Sequence, residues 1–237
     1  MNWVPKRFWT AATAEAVAGG FSVRLDGRSV KTPAKSDFIL PTLAMAEAAA
    51  AEWQAQDEVI DPATMPVTRS ANAAIDKVAV QFDEVAKMLA DYGDADLTCY
   101  RAAGPSGLVA RQSAAWDPLL NWAADTYGAR LLPVEGVMYA AQDPEALANL
   151  AQPLAAMTPF ELTAMHDLVS LSGSLVIGLA AAAHLQPIDA LWKTSRIDED
   201  WQIEQWGEDE EASAHAQLKH KAFVHALFFH TLSHAKG

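Results

Sequence analysis

The residues best suited to chemistry lie late in the chain, where His215, His220, His225, His230 and His234 recur in one helical stretch. Steps of five turn each imidazole by about 140° from the one before, so only His230 and His234, four apart, could grip one ion. No Cys and no adjacent Glu completes a ligand set, and solvated or core-edge histidines are expected, with no metal. His166-Asp167 with Ser170 and Ser172 offers the residue types of a nucleophilic triad, but His166 and Ser170 fall one turn apart in a capped, apolar helix. Cys99, the single cysteine, reads as a small buried thiol. A phosphate-cradling Gly-x-x-x-x-Gly-Lys-Ser/Thr loop and a Gly-x-Gly-x-x-Gly loop are both absent. Gly104-Pro105-Ser106-Gly107 lacks a following Lys and reads as a helix entry. Neither nucleotide nor cofactor is expected.

Carboxylates and tryptophans carry more information. Positions 198–211 hold Asp198, Glu199, Asp200, Glu204, Glu208, Asp209, Glu210 and Glu211, with Trp201 and Trp206 among them and no Lys or Arg. One reading is a solvated acidic face with both tryptophans turned inward. The other is a recognition surface, on which buried aromatics hold a platform and carboxylates meet a basic partner. The whole chain leans the same way, with 17 basic against 30 acidic residues and a formal net charge of −13 over 237 residues. Such a surface repels phosphate backbones and anionic lipids, so no nucleic acid is expected as a partner. A hydrophobic content of 51% fits a folded chain rather than a disordered one.

These residues need elements to hold them. Phe21-Ser22-Val23-Arg24-Leu25 alternates as a strand, and Asp26-Gly27 then leads into Arg28-Ser29-Val30-Lys31-Thr32. An Asp-Gly pair between two such runs predicts a type I′ hairpin, which gives Gly27 a structural role. Residues 37–40 are expected to form a further strand, as are residues 7–9. A helix is predicted over 42–56, with Pro41 at its first position, and a linker over 57–64. The three-to-four spacing of Ala74, Ile75, Val78, Phe82, Val85 and Leu89 predicts one helix over 70–89. Asp117-Pro118, Asp143-Pro144 and Thr158-Pro159 each predict a helix start, and Glu161 completes a capping box with Thr158. Further helices are expected from Pro187 to about Gly207 and from about Glu208 to His234. Residues 168–185 carry no formal charge, a length that borders on a membrane span. Three serines and the lack of basic flanks favour a buried central helix, so no membrane insertion is expected. The fold class is therefore α+β: a small α/β domain over 1–62, with a hairpin-containing antiparallel sheet plus a helix, followed by an all-α domain over 63–237. The first ten residues show neither a secretory apolar run nor an Arg- and Ser-rich leader, which predicts action in a bacterial cytoplasm.

One succession of motifs is specific. Lys6-Arg7-Phe8-Trp9, Leu25-Asp26-Gly27-Arg28, Lys31-Thr32-Pro33 and Glu52-Trp53 come first. Met65-Pro66 with Thr68, Asn72 and Asp76 follows. Asp96-Leu97-Thr98-Cys99-Tyr100-Arg101, Trp116-Asp117-Pro118 and Gln202-Ile203-Glu204-Gln205-Trp206-Gly207 complete the series. In this order the chain resembles the chaperones that bind the alpha subunit of the ATP synthase catalytic sector, the family called assembly factor two of that sector in mitochondria. The resemblance implies a two-domain fold and an activity without catalysis. Such a protein holds an unassembled alpha subunit, masks its subunit interface and hands it over during assembly. It also places the functional acidic region on Glu199, Glu204 and Glu210, with Glu208 in the same partner-binding set. Trp53, Trp201 and Trp206 are expected to be structural. A generic helical adaptor, or an enzyme with a carboxylate-rich cleft, would share much of this pattern.

Overall fold

The computed structural model describes residues 6–235; the first five positions of the segment read for a leader lie outside the described residues. Backbone contacts divide the chain into two compact units. One unit comprises Met1–Phe82 with Thr158–Ala164 and Phe228–Gly237, and the other comprises Asp83–Met157 with Met165–Leu227. The first carries nine basic and ten acidic residues, the second eight and twenty. Nearly all of the net negative charge therefore belongs to the second unit.

The first unit is built on an antiparallel sheet, β1 (Ala12–Val17), β2 (Gly20–Leu25) and β3 (Arg28–Ser29), in that order. Between β2 and β3, Asp26 and Gly27 take φ of 47° and 80°, the left-handed pair that a type I′ turn needs. The Asp26 carboxylate also accepts from the backbone N–H of Thr10 and Ala11, both at 2.9 Å. Those two donors hold its pKa below the ordinary value. The expected strand at 37–40 reduces to isolated bridges, Phe21 with Leu40 and Lys31 with Asp37, and the one expected at 7–9 is not formed, the neighbouring bridge being Lys6 with Val59. Pro33 and Pro41 bracket the 37–40 segment, and a residue without an N–H cannot extend a ladder.

Helix α1 (Leu43–Gln54) lies against β1 and β2, with Thr42 rather than Pro41 at its start. The Thr42 hydroxyl caps Met45 N–H at 3.1 Å. Its buried alanines, Ala46 and Ala49, let the helix approach the sheet closely over Val23, Leu25, Phe38 and Leu40. Helix α2 (Pro66–Ala73) has no cap of its own; the Glu52 carboxylate supplies one, accepting from Val67 N–H at 2.6 Å and Thr68 N–H at 2.8 Å. Burial pushes the Glu52 pKa up against those donors. A π-turn over Ala74–Val78 then interrupts the predicted 70–89 helix, which resumes as α3 (Phe82–Ala90). Within the turn, Asp76 accepts from the Thr32 hydroxyl at 2.6 Å and Ala34 N–H at 3.0 Å.

The second unit is mainly helical. Helix α4 (Ser106–Tyr127) runs through Pro118, so Asp117-Pro118 is not a helix start. Tertiary packing overrides the local signal: Trp116, Leu119 and Leu120 are buried, and the Trp116 indole donates to the Thr194 carbonyl at 2.9 Å. β4 (Tyr100–Arg101) and β5 (Val134–Glu135) form a two-residue parallel pair. Helix α5 (Pro144–Ala155) starts as predicted, with Asp143 capping Glu145 N–H at 2.7 Å. Helix α6 (Pro159–Ser172) opens on the predicted capping box, in which Thr158 N–H donates to Glu161 and Glu161 N–H to the Thr158 hydroxyl.

The uncharged 168–185 stretch is two helices, because Gly173 takes φ of 71° and α7 (Leu175–Ala182) begins anew at Ser174. No described helix is long and apolar enough to cross a membrane. Buried Asp96 joins this break to the segment 96–99. Its carboxylate accepts from Thr98 N–H (3.0 Å), the Thr98 hydroxyl (2.7 Å), the Ser174 hydroxyl (2.7 Å) and Val176 N–H (3.0 Å). The stretch predicted as one helix after Pro187 is also two, α8 (Ile188–Ser195) and α9 (Ile197–Trp206), parted where Arg196 leaves helical geometry. The last helix, α10 (Glu210–His234), follows.

Candidate protein-binding surface

Helix α9 holds four of the eight acidic residues singled out in the sequence, Asp198, Glu199, Asp200 and Glu204, and α4 holds α9. Asp198 accepts from the Gln112 side-chain amide at 2.6 Å, and the Gln112 carbonyl oxygen accepts from Ala102 N–H at 2.9 Å. Gly107 leaves room for Trp201, since a Cβ there would stand 2.9 Å from the indole edge. Arg111 lies over the Trp201 ring, its guanidinium carbon 4.9 Å from the ring centroid. Its guanidinium also makes a two-pronged pair with Glu204 at 2.8 and 2.9 Å. That pairing holds the Glu204 carboxyl below its ordinary range and raises Arg111 further.

The four acidic candidates therefore differ. Glu204 is engaged by Arg111, and Glu199 lies 3.4 Å from Arg196. Glu208 and Glu210 are exposed, and no ion pair is seen for either among the described residues. Asp209 caps the start of α10 by accepting from Ala212 N–H at 2.8 Å. Trp201 is half-buried, whereas Trp206 is 79% exposed, so the two tryptophans do not both turn inward. Helix geometry is the reason: five residues separate them, which points them about 140° apart. Gly207, at φ of 94°, ends the helix directly after Trp206. Trp53 and Gly27 lie in the first unit, where Trp53 packs edge-on against Trp9 at 5.3 Å between ring centroids.

Residues considered for catalysis or metal binding show other environments. Cys99 is buried, and burial with the nearby Asp96 charge pushes its thiol up to about 12, far from a reactive thiolate. His166 pairs with its neighbour Asp167 at 2.9 Å, which raises its pKa. The His230 and His234 rings lie 4.7 Å apart at a tilt of 46°, and His234 also meets Glu161. Among the described residues no three His, Cys, Asp or Glu side chains converge to hold a metal ion.

One feature of the surface was missed in the sequence. Residues 131–142 form a loop braced at several points. Tyr100 and Arg101 pair with Val134 and Glu135, and Gly136 N–H donates to the Arg101 carbonyl at 2.8 Å. The buried Gln142 side chain accepts from Leu132 N–H at 2.8 Å and donates to the Leu132 carbonyl at 2.9 Å. Asp94 accepts from Gln142 N–H at 2.9 Å and from the Tyr139 hydroxyl at 2.5 Å, and these donors hold its pKa down. On this frame stand four exposed apolar side chains, Leu132, Val137, Met138 and Tyr139. The uncharged run Gly136-Val137-Met138-Tyr139, ahead of the helix start at Asp143-Pro144, was the available signal.

Known proteins match this arrangement closely. Residues 6–124 match the family described as ATP12 chaperone protein. The crystal structure of Atp12 from Paracoccus denitrificans is 48% identical, covers 96% of this chain and 98% of its own, and superposes with a TM-score of 0.94. An aspartate-to-lysine variant of that protein matches with the same identity and TM-score, over 96% of this chain and 97% of its own. The Atu1473 protein of Agrobacterium tumefaciens is 42% identical over 97% of this chain and 86% of its own, with a TM-score of 0.92.

Proposed function

This chain belongs to the ATP12 chaperone family, whose task is ATP synthase assembly, and on that premise we propose that it holds the unassembled alpha subunit of the catalytic sector in the cytoplasm. It masks the surface that the alpha subunit later presents to its neighbour, and it gives the subunit up when that neighbour arrives. An orphan subunit exposes apolar interface, and such surface drives aggregation. Covering about 800 Å² per side would suppress this, provided the hold is weaker than the final one. Release is then competition, and no bond is made or broken.

The observation that carries the reading is the concentration of charge: twenty acidic against eight basic residues in one unit, with exposed Trp206 beside the unpaired Glu208 and Glu210. Carboxylates of this kind speed encounter with a basic surface, and a tryptophan supplies the short-range anchor. Glu199 and Glu204, on α9, belong to the same binding set.

Co-expression with the alpha subunit in the absence of beta is the test. Capture of alpha, its loss when beta is added, and weaker, less salt-dependent capture by Glu208→Lys/Glu210→Lys are the expected results. Failure of the wild-type chain to retain alpha overturns the reading. Unchanged capture by the double variant removes the acidic surface from it.

A further inference from the structure

Carboxylates steer a partner but cannot cover apolar surface; that takes apolar surface in return. We propose that the braced loop 131–142 is the apolar contact of the complex, and that its occupant is an apolar patch, rimmed by basic side chains, on the unassembled subunit. The proposal rests on the chaperone reading above and names the part of the molecule that does the masking.

The loop exposes apolar side chains to an unusual degree for so short a segment: Val137 is 92% exposed, Met138 78%, Tyr139 62% and Leu132 60%. At roughly 150–200 Å² per side chain this leaves on the order of 500 Å² of apolar surface, within the range where patches on monomers are binding sites. Nor is it a slack segment. The Gln142 amide closes it on Leu132 from both sides, the β4–β5 pairing fixes its rising limb, and Asp94 fixes its return through Tyr139 and Gln142. A rigid loop loses little conformational entropy on binding, and an unbranched Met at its tip adapts to an uneven partner.

Two observations choose among occupants. A symmetric contact between two copies would bury about 500 Å² per side, short of the roughly 800 Å² of a standard interface. It would also bring together two units that each hold twenty acidic and eight basic residues. The same charge favours a partner whose apolar patch has a basic rim. Such a partner can add contacts outside the loop, as the α9 surface would provide.

The test is Val137→Ser/Met138→Ser in the full chain, with capture of co-expressed alpha subunit measured in the absence of beta. Both side chains are exposed, so the thermal transition should stay in place while capture weakens at least tenfold. Val80→Ser, at a valine 76% exposed in the other unit, should leave capture unchanged. Capture by the double variant within twofold of wild type overturns the proposal, as does an equal loss on Val80→Ser, which would mean general stickiness. A wild-type dimer in sedimentation that becomes monomeric in the double variant would make the occupant a second copy, and also overturns it. Should the double variant fail to fold, Met138→Gln alone carries the expectation, at about three- to fivefold. A wild-type chain that captures no alpha subunit defeats the chaperone reading itself, an outcome distinct from normal capture by the loop variant.

Discussion

Replacing Asp96 by Asn keeps the volume of the side chain and exchanges one acceptor for a donor, deep in the second unit. One Asp96 oxygen accepts from Thr98 N–H and from the Thr98 and Ser174 hydroxyls; the other accepts from Val176 N–H, at the first turn of α7. An asparagine has only one oxygen. Turned to serve the three clustered donors, its NH₂ faces the Val176 N–H, leaving two buried donors in opposition; turned the other way, it faces three. The better orientation loses one hydrogen bond to a charged acceptor and strands a buried donor, together about 3 kcal/mol. For a chain of this length that corresponds to a fall in Tm of about 6–12 °C.

Urea denaturation followed by far-UV circular dichroism measures the difference directly, because with an unchanged slope the midpoint reports stability. The pH dependence adds a second reading. Burial pushes the Asp96 pKa above its ordinary 3.8, against the four donors that lower it. A carboxyl raised on folding contributes stability that is full below its unfolded pKa and fades as pH rises through the folded value. The deficit of Asp96→Asn relative to wild type should therefore widen on acidification. A variant within about 0.5 kcal/mol of wild type would refute the view that this carboxylate organises the α6–α7 break.

Two other expectations follow from groups nearer the surface. In a cycle of Arg111→Ala, Glu204→Ala and the double variant, losses in Tm should be less than additive, since each single change already breaks the two-pronged pair; strict additivity would show that the pair carries no coupling. Because Asp94 is held below its ordinary 3.8 by the Gln142 N–H and the Tyr139 hydroxyl, its contribution is complete above that value and is lost as pH falls from there through the lower folded pKa. Protection of the amides of loop 131–142, relative to intrinsic exchange at each pH, should accordingly fall in acid ahead of that of the α4 core, and equal protection of both at all pH values would contradict the bracing.

How far the sequence spoke depended on how local each signal was. Asp26-Gly27, Asp143-Pro144 and the Thr158/Glu161 box are decided within four residues, and all three took the geometry their chemistry favours. Pro118 was just as local and misled, because buried Trp116, Leu119 and Leu120 carry α4 past it. β1 went unread because three of its six residues are alanines, which lack the branched side chains that mark a strand. The motif pairs Glu52 with Thr68 and Thr32 with Asp76 stood out as a succession, yet that they are carboxylates capping or clasping distant backbone is tertiary information. At the surface, the acidic stretch was plain from composition. Which of its members also hold a partner within the chain, as Glu204 holds Arg111, depended on a helix ninety-three residues away in sequence.

Gln142 closes its loop by imitating a peptide unit, with one oxygen and one N–H set against those of Leu132. Hydrolysis of that amide to a carboxylate would remove the donor and press an anion towards the Leu132 carbonyl. At 6% exposure Gln142 is largely shielded from the water that such a reaction needs, and the exposed tip it supports shares in that protection.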